Sequence, residues 1–484
     1  MNRNNISSVL SATLSATVVL LVAALLLAGC ASSANFTPTA APAAPAAFKE
    51  LDARAATAAK ADVPAGGRWW AVFADPVLDG LIGHADRDNT GIQLAAARLA
   101  QARAFLREAD AEKLPQIGIG AGAARGNNLI PGATVPTTIL SAGPSVSWEP
   151  DLFGRLAKAS DAATLDAAAR AALLQGARLA VESNVAQTYF VLRALDDERA
   201  LVRETVAAYR DTLHLTERRY AAGDVAELDL ARVQAEVAAT ESQALALDRR
   251  RAQTEHALAV LLGATPSGFT LAEAEWRTAL PSVPAGIPST VLTRRPDVSA
   301  AQSEMRAAQA RVGVAQAAWF PDVALTANGG FASTDLGDLF KWSARSWGIG
   351  ALLSLPVFDG GRREAGLQNA NALWDAAAAS YREQVLTAFQ DVEDQLSELR
   401  LLTDQAGAQT QAVDAASRAT VLSNSRYRNG FVSQLEFLDA RRSELANRRQ
   451  AVQLRAAQYQ ATVGLIRALG GGWGDAPTAT ASAS

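Results

Sequence analysis

Tyr220-Ala-Ala-Gly223-Asp-Val-Ala-Glu-Leu228-Asp-Leu230 returns further along the chain as Tyr427-Arg-Asn-Gly430-Phe-Val-Ser-Gln-Leu435-Glu-Phe437, 207 residues on (430 − 223). The same offset carries Gly154-Arg155 onto Gly361-Arg362 and Leu262-Gly263 onto Leu469-Gly470. Copies that align over roughly a hundred residues without insertion are too long for a solenoid period, so a whole module of strands and helices is present twice. An internal pseudo-symmetry of this size directs the search for function to a symmetric assembly.

Upstream of the first glycine turn, Arg155 to Ala221 holds no proline and a single glycine, Gly176. Apolar residues recur there with helical spacing at Leu165, Leu179, Val185, Leu192, Leu195, Val202, Val206 and Leu213, which predicts one helix over 155–221. At 1.5 Å per residue it is a rod of about 100 Å. The second copy places its long helix at 362–428. Return helices are predicted at 224–262 and 431–469. The interval 263–291 contains Pro266, Pro281, Pro284 and Pro288 and reads as an equatorial connector. Arg295-Pro296-Asp297 then opens a helix that ends before Pro321. The helix of 224–262 and the one opening at Arg295 are expected to stack end to end and retrace the long helix. In the second copy, Thr90 to Lys113 would complete 431–469.

Four segments alternate with period two. In Ser346–Leu355, Trp347, Ile349, Ala351, Leu353 and Leu355 share one face, and Ser346, Gly348, Gly350 and Ser354 the other. Pro321–Phe331, Gln116–Ala123 and Ser145–Trp148 behave likewise, giving hairpins within 115–150 and 321–356, with loops at 126–140 and 334–344. Apolar-out, small-polar-in alternation is the pattern of a membrane β-barrel strand, although a half-buried soluble sheet shares the period. Four strands cannot close a barrel, and eight leave an interior that side chains fill. Twelve strands from three chains are the smallest symmetric closure above eight, so a cyclic trimer is expected.

With 45 Lys and Arg against 49 Asp and Glu, the net charge of −4 excludes a nucleic-acid-binding profile. Residues 1–29 read as an export signal, with Arg3 before an apolar core that ends in Leu27-Ala28-Gly29. Cys30 follows, the sole cysteine of the chain, in the pattern of a bacterial lipobox. Acylation of this thiol fits an oxidising compartment, where a free cysteine is a liability. Residues 30–67 are rich in Ala, Pro and Thr and read as the lipid anchor and a flexible N-terminal segment; 474–484 read as a disordered tail. Beyond Cys30 no stretch reaches the apolar length of a spanning helix, so a membrane crossing must use strands.

The lipobox, Trp69-Trp70-Ala-Val-Phe73-Ala-Asp75-Pro76, Trp148-Glu-Pro-Asp-Leu-Phe-Gly-Arg155, Arg294-Arg-Pro-Asp297, the twin Tyr-x-x-Gly turns and Leu469-Gly-Gly-Gly-Trp473 together resemble the TolC-type outer-membrane efflux factors, in the NodT or OprM-like lipoprotein branch. The similarity runs from about residue 68 to 473. It implies a mainly α chain with a membrane β-barrel part: a trimeric 12-stranded barrel, four strands per chain, continuing into a long periplasmic α-helical barrel. Residues 68–262 and 292–473 would be its two repeats. Function would be that of the exit channel of a tripartite pump, passively conducting substrates without a cofactor. Its partners would be outer-membrane lipid, a periplasmic membrane-fusion adaptor and an inner-membrane RND-type transporter. The resemblance also implies a gate at the periplasmic tip, with Gly223 and Gly430 in the tip turns. There Glu436 and Asp439 would line the constriction, and Tyr427 would be hydrogen-bonded to Asp229 as a tether between repeats. Val432 stands where the family pattern has a tethering arginine, so the closed state is expected to be held differently. Leu435 and Leu438 are read as packing residues.

An enzyme is disfavoured: H-E-x-x-H and G-x-S-x-G are missing, and His84, His214 and His256 are scattered in helical sequence. The alternating strands argue against a non-channel structural lipoprotein. Within the channel class the alternative is a duct for type I protein secretion.

Overall fold

The computed structural model describes residues 44–51, 67–127, 135–283, 288 and 294–471. In chain order the principal elements are α1 (Pro76–Asp88), α2 (Thr90–Ala111), β1 (Gln116–Gly126), β2 (Thr137–Trp148), α3 (Arg155–Ala221), α4 (Glu227–Leu261), α5 (Pro296–Ala317), β3 (Asp322–Ser333), β4 (Arg345–Ser354), α6 (Arg362–Arg428) and α7 (Gln434–Ala468). The duplication is numerical as well as topological. α3 and α6 have 67 residues each, α4 and α7 have 35, and α2 and α5 have 22. The chain divides into two compact units, one around the strands and one around the middle and far ends of the helices.

In the strand unit the four strands form one antiparallel sheet in the order β1-β2-β3-β4. Following the register across a row shows why each strand alternates. Ile117 pairs with Val146, Val146 with Ala327 and Ala327 with Ile349, so one face is apolar from edge to edge. The next row, Gly118, Ser145, Asn328 and Gly348, belongs to the other face and is small and polar. Ile117, Ile119, Trp347, Ile349 and Leu353 are all exposed on the apolar face. β2 begins at Thr137, eight residues before the segment expected from periodicity, and the first loop is correspondingly shorter. Gly143-Pro144 hides the strand: proline has no N–H, and the β2–β3 ladder skips these two residues. The backbones nearly touch there, since a Cβ on Gly143 would lie 2.0 Å from the Gly329 carbonyl oxygen, and Gly330 has φ 145°. At the helix starts, Asp151 accepts from the backbone N–H groups of Leu156 and Ala157, and Asp359 from those of Gly361 and Arg363.

The second unit is organised around Trp69, Trp70 and Phe73, which pack with Leu78 and Ile82 of α1 on Tyr189 and Phe190 of α3, Leu258 of α4, Trp276, and Tyr459 and Ile466 of α7. Asp75 ties this core together. Its carboxylate caps α1 at Val77 and Leu78, and accepts from the Tyr189 and Thr278 hydroxyls, both at 2.8 Å.

The end-to-end stacking differs from the sequence expectation. α4 does not continue into α5; it abuts α2, the upper helix of its own repeat. Asn89 accepts from the N–H groups of Gly91 and Ile92, and its amide donates to the carbonyl of Leu261 at 2.7 Å. The backbones meet so closely that a Cβ on Gly263 would lie 2.2 Å from the Asp88 carbonyl oxygen. α7 likewise abuts α5: Arg295 donates to the Ala468 carbonyl at 3.3 Å, and a Cβ on Gly470 would lie 2.9 Å from the Arg294 oxygen. The physical reason is the satisfaction of helix ends. The last carbonyls of the lower helix are met by the residue that begins the upper one.

Candidate functional site

The Tyr-x-x-Gly turns are helix C-caps. The Gly223 N–H donates to the Tyr220 carbonyl at 2.9 Å and the Asp224 N–H to the Arg219 carbonyl at 2.9 Å; Gly430 and Phe431 repeat both bonds on Tyr427 and Arg426, at 3.0 and 2.9 Å. This paired arrangement is a Schellman motif, and it requires the positive φ of 83° at Gly223 and 75° at Gly430. The next helix starts three residues later than the glycine spacing alone predicts. Ser433 caps α7 through the Glu436 N–H, whereas Ala226 at the same place before α4 offers no side-chain cap.

The turn positions Tyr427 so that its ring stacks on Phe437, with centroids 5.5 Å apart and planes 4° from parallel. Its hydroxyl accepts from Arg219 Nη1 at 3.3 Å, and the Arg219 guanidinium lies 5.9 Å from the ring centroid. This corrects the expected tether: Tyr427 is held by Arg219, and Asp229 pairs with Arg232 of its own helix at 3.7 Å. An arginine does bridge the repeats, supplied by α3 where the turn carries Val432. One signal could have found it: an arginine immediately precedes the motif tyrosine in both copies, Arg219-Tyr220 and Arg426-Tyr427.

Two further bonds join the repeats here. The buried amide of Gln434 donates to the Thr216 hydroxyl at 2.9 Å, and Arg442 pairs with Glu236. Hydrogen bonding to Glu236 raises the pKa of Arg442 further. Arg442 also holds Asp439 at 3.1 Å, so the two expected gate carboxylates are not equivalent. Glu436 is exposed with no ion-pair partner among the described residues, while Asp439 shares a cation with Glu236. Leu438 is buried with Tyr209, Val233 and Val237, as a packing residue should be. Leu435 is 40% exposed in the single chain. Cys30 lies outside the described residues.

Arg294-Arg-Pro-Asp297, by contrast, forms a structural clamp. Arg295 is buried, pairs with Asp297 at 2.6 Å and Asp391 at 2.8 Å, and Asp297 accepts from Gln384 at 2.7 Å.

The sequence matches the family model described as outer membrane efflux protein, over residues 81–264 and again over 287–471. The two matched stretches together hold nearly all the principal elements of both repeats. The chain is 32% identical over 409 residues to the cation efflux system protein CusC of Escherichia coli O6:H1, spanning 84% of this chain and 88% of that one. It is 34% identical over 437 residues to the pyoverdine export outer membrane protein OpmQ of Pseudomonas putida, spanning 87% and 92%. Among solved structures, the outer-membrane channel OprN superposes with a TM-score of 0.82 at 31% identity, over 90% of this chain and 99% of that one. The open state of the MtrE outer membrane channel of Neisseria gonorrhoeae superposes with a TM-score of 0.77 at 26% identity, over 89% and 98%.

Proposed function

Because this chain belongs to the outer membrane efflux protein family, we propose that it assembles as a trimeric duct whose far helical ends form the gate. It is an outer-membrane efflux channel protein extending into the periplasm. The observation that carries the assembly is the four-stranded sheet, apolar on one face and small and polar on the other, with β1 and β4 as open edges. Unpaired strand edges cannot persist in lipid, so the edges pair between copies, and twelve strands enclose a water-filled bore. Acylation at Cys30 adds a second attachment to the membrane. The duct is a passive conduit without catalytic activity and takes its cargo from a periplasmic adaptor and an inner-membrane RND-type transporter. Relatives named for cations, solvents and pyoverdine share this one architecture, which supports cargo selection upstream of the duct. The same relatives serve efflux systems and do not favour protein secretion.

At the tip, Arg219–Tyr427, Gln434–Thr216 and Arg442–Glu236 hold the two repeats together in the closed state, and Glu436 contributes negative charge to the aperture. Native mass measurement and single-channel recording of the detergent-purified protein test both parts. A three-chain particle with low, cation-selective conductance is expected. A folded single chain would sink the barrel, and anion selectivity would remove Glu436 from the aperture.

A further inference from the structure

Resting on the reading of the sheet as one third of an outer-membrane barrel, we propose that the β3–β4 loop and the adjoining strand ends bind the phosphate groups of an outer-leaflet glycolipid of the lipid A class. Phe331 and Arg345 face each other in the last pair of the β3–β4 ladder, on the apolar face that also carries Ile349 and Leu353. The loop folds back onto that face. Phe340 meets Phe331 edge-on, with centroids 5.7 Å apart, and the Arg345 guanidinium lies 3.3 Å from the Trp342 ring centroid while its Nε donates to the Trp342 carbonyl at 2.8 Å. Leu339 is buried and anchors the loop, and the Asp335 carboxylate caps its first turn at Gly337. Leu336, Phe340 and Trp342 are nevertheless 71%, 72% and 74% exposed.

Three large apolar side chains held in order and left uncovered, continuous with the lipid-facing surface, fit the headgroup boundary of a bilayer. The loop lies at the end of the sheet opposite the starts of α3 and α6, so this boundary is the external one. Charge then selects the lipid. Lys341 is neutralised by Asp338, whereas Arg345 pairs with no carboxylate among the described residues. Arg125 near the outer end of β1, on the same face, also pairs with none. β1 and β4 are the two open edges, so closing the ring brings the Arg345 edge of one copy beside the Arg125 edge of the next. Two guanidiniums flanking one seam, with aromatic rings beside them, match a headgroup that carries two phosphates on an acylated body. Arginine is the side chain best shaped to grip them.

The test is native mass spectrometry of the full-length trimer with three added lipids: bis-phosphorylated lipid A, the same glycolipid with its phosphates removed, and phosphatidylglycerol. The wild type should retain the bis-phosphorylated form and release the dephosphorylated one. Arg345→Gln should lower retention about tenfold, the loss of one charge-assisted hydrogen bond, and Arg345→Lys should restore part of it. Trp342→Ala should also reduce it. Full retention by the Arg345→Gln, Arg125→Gln double variant, or equal retention of the dephosphorylated lipid, would overturn the site. Equal retention of phosphatidylglycerol would overturn the choice of glycolipid. The trimer mass is read in the same spectra, so a failure of the barrel itself appears as a missing trimer and is distinct from a trimer that holds no lipid.

Discussion

The side-chain amide of Asn89 closes the end of one helix and the start of another, donating to the Leu261 carbonyl at 2.7 Å while its oxygen caps α2. α4 and α2 thereby act as one strut, matching in role the single unbroken α3. Arg295 and Ala468 make the second such joint.

Asn89→Ala should destabilise the protein by about 1–2 kcal/mol through loss of the cap and about 1 kcal/mol more through the orphaned carbonyl. Asn89→Asp retains the cap but has no donor for Leu261. Thermal melting followed by helical circular dichroism should rank wild type above Asp and Asp above Ala. An Asp variant that melts like wild type would show that the bridge to Leu261 contributes nothing.

Arg295→Met should cost about 2–4 kcal/mol, because it leaves Asp297 and Asp391 without their cation. Both carboxylates keep some solvent contact, which holds the loss below that of a sealed ion pair. Arg295→Lys should recover only part of it, since one ammonium cannot span two carboxylates and the Ala468 carbonyl. The trimer-to-monomer transition on heating in detergent measures the order.

Burial pushes the Glu182 carboxyl up to about 7, against an opposing hydrogen bond from Trp69 Nε1 at 2.7 Å. A raised carboxyl pKa means that the folded state holds a proton the unfolded chain has already released. Stability from this group is therefore greatest below the unfolded value and declines as pH rises through about 7. Glu182→Gln still accepts from Trp69 but cannot ionise, so its melting temperature should fall less between pH 5 and pH 8 than the wild type's, by roughly a few degrees. Parallel pH profiles of the two proteins would refute the buried acid.

At the tip, Arg219→Ala and Tyr427→Phe should each raise single-channel conductance by removing the bond between repeats, and the double variant should add little to either single one. Asp229→Ala should leave conductance near the wild-type level, since its partner is Arg232. Glu436→Gln should weaken cation selectivity more than Asp439→Asn does, because Arg442 already offsets Asp439. A rise in conductance on Asp229→Ala with none on Arg219→Ala would reassign the tether, and a larger loss of selectivity on Asp439→Asn would reassign the aperture charge.

Gly330→Ala should block assembly. The new Cβ would lie 2.2 Å from the Ala142 carbonyl oxygen, at a φ that side chains rarely adopt. Gly120→Ala, on the same sheet with open space above it, should assemble normally. Native gels of the two variants decide.

Much of this was legible in the amino-acid order because local rules and tertiary packing agree there. The long helices between Gly154 and Gly223 and between Gly361 and Gly430 are bounded by residues whose backbone freedom the turns require, and β4 alternates from Ser346 to Ala351. Periodicity shows only part of β2 because Gly143-Pro144 imitates a turn while sitting in a ladder. Length alone does not choose the partners of the helix splices, because all four pieces have compatible lengths. Only the capping groups of Asn89 and Arg295 distinguish the pairings, and they do so across some 170 residues. The tether required the same kind of knowledge. That Arg219 reaches Tyr427 depends on how two repeats lie together, while the pairing with Asp229 was carried over from a pattern that this chain leaves at Val432.

Over its middle, this face of the sheet carries Gly118, Gly120 and Gly122, Ser141, Gly143 and Ser145, Ala324, Thr326 and Asn328, and Gly348 and Gly350, with Leu352 opposite Ala324. None of these side chains can gain or lose a proton in the physiological range. A wall that does not titrate holds the same potential in acid and in alkali and offers a passing solute no charged group on which to linger. A response of the duct to acidity must therefore come from groups outside this stretch, such as Asp322, which ends the same face opposite Ser354.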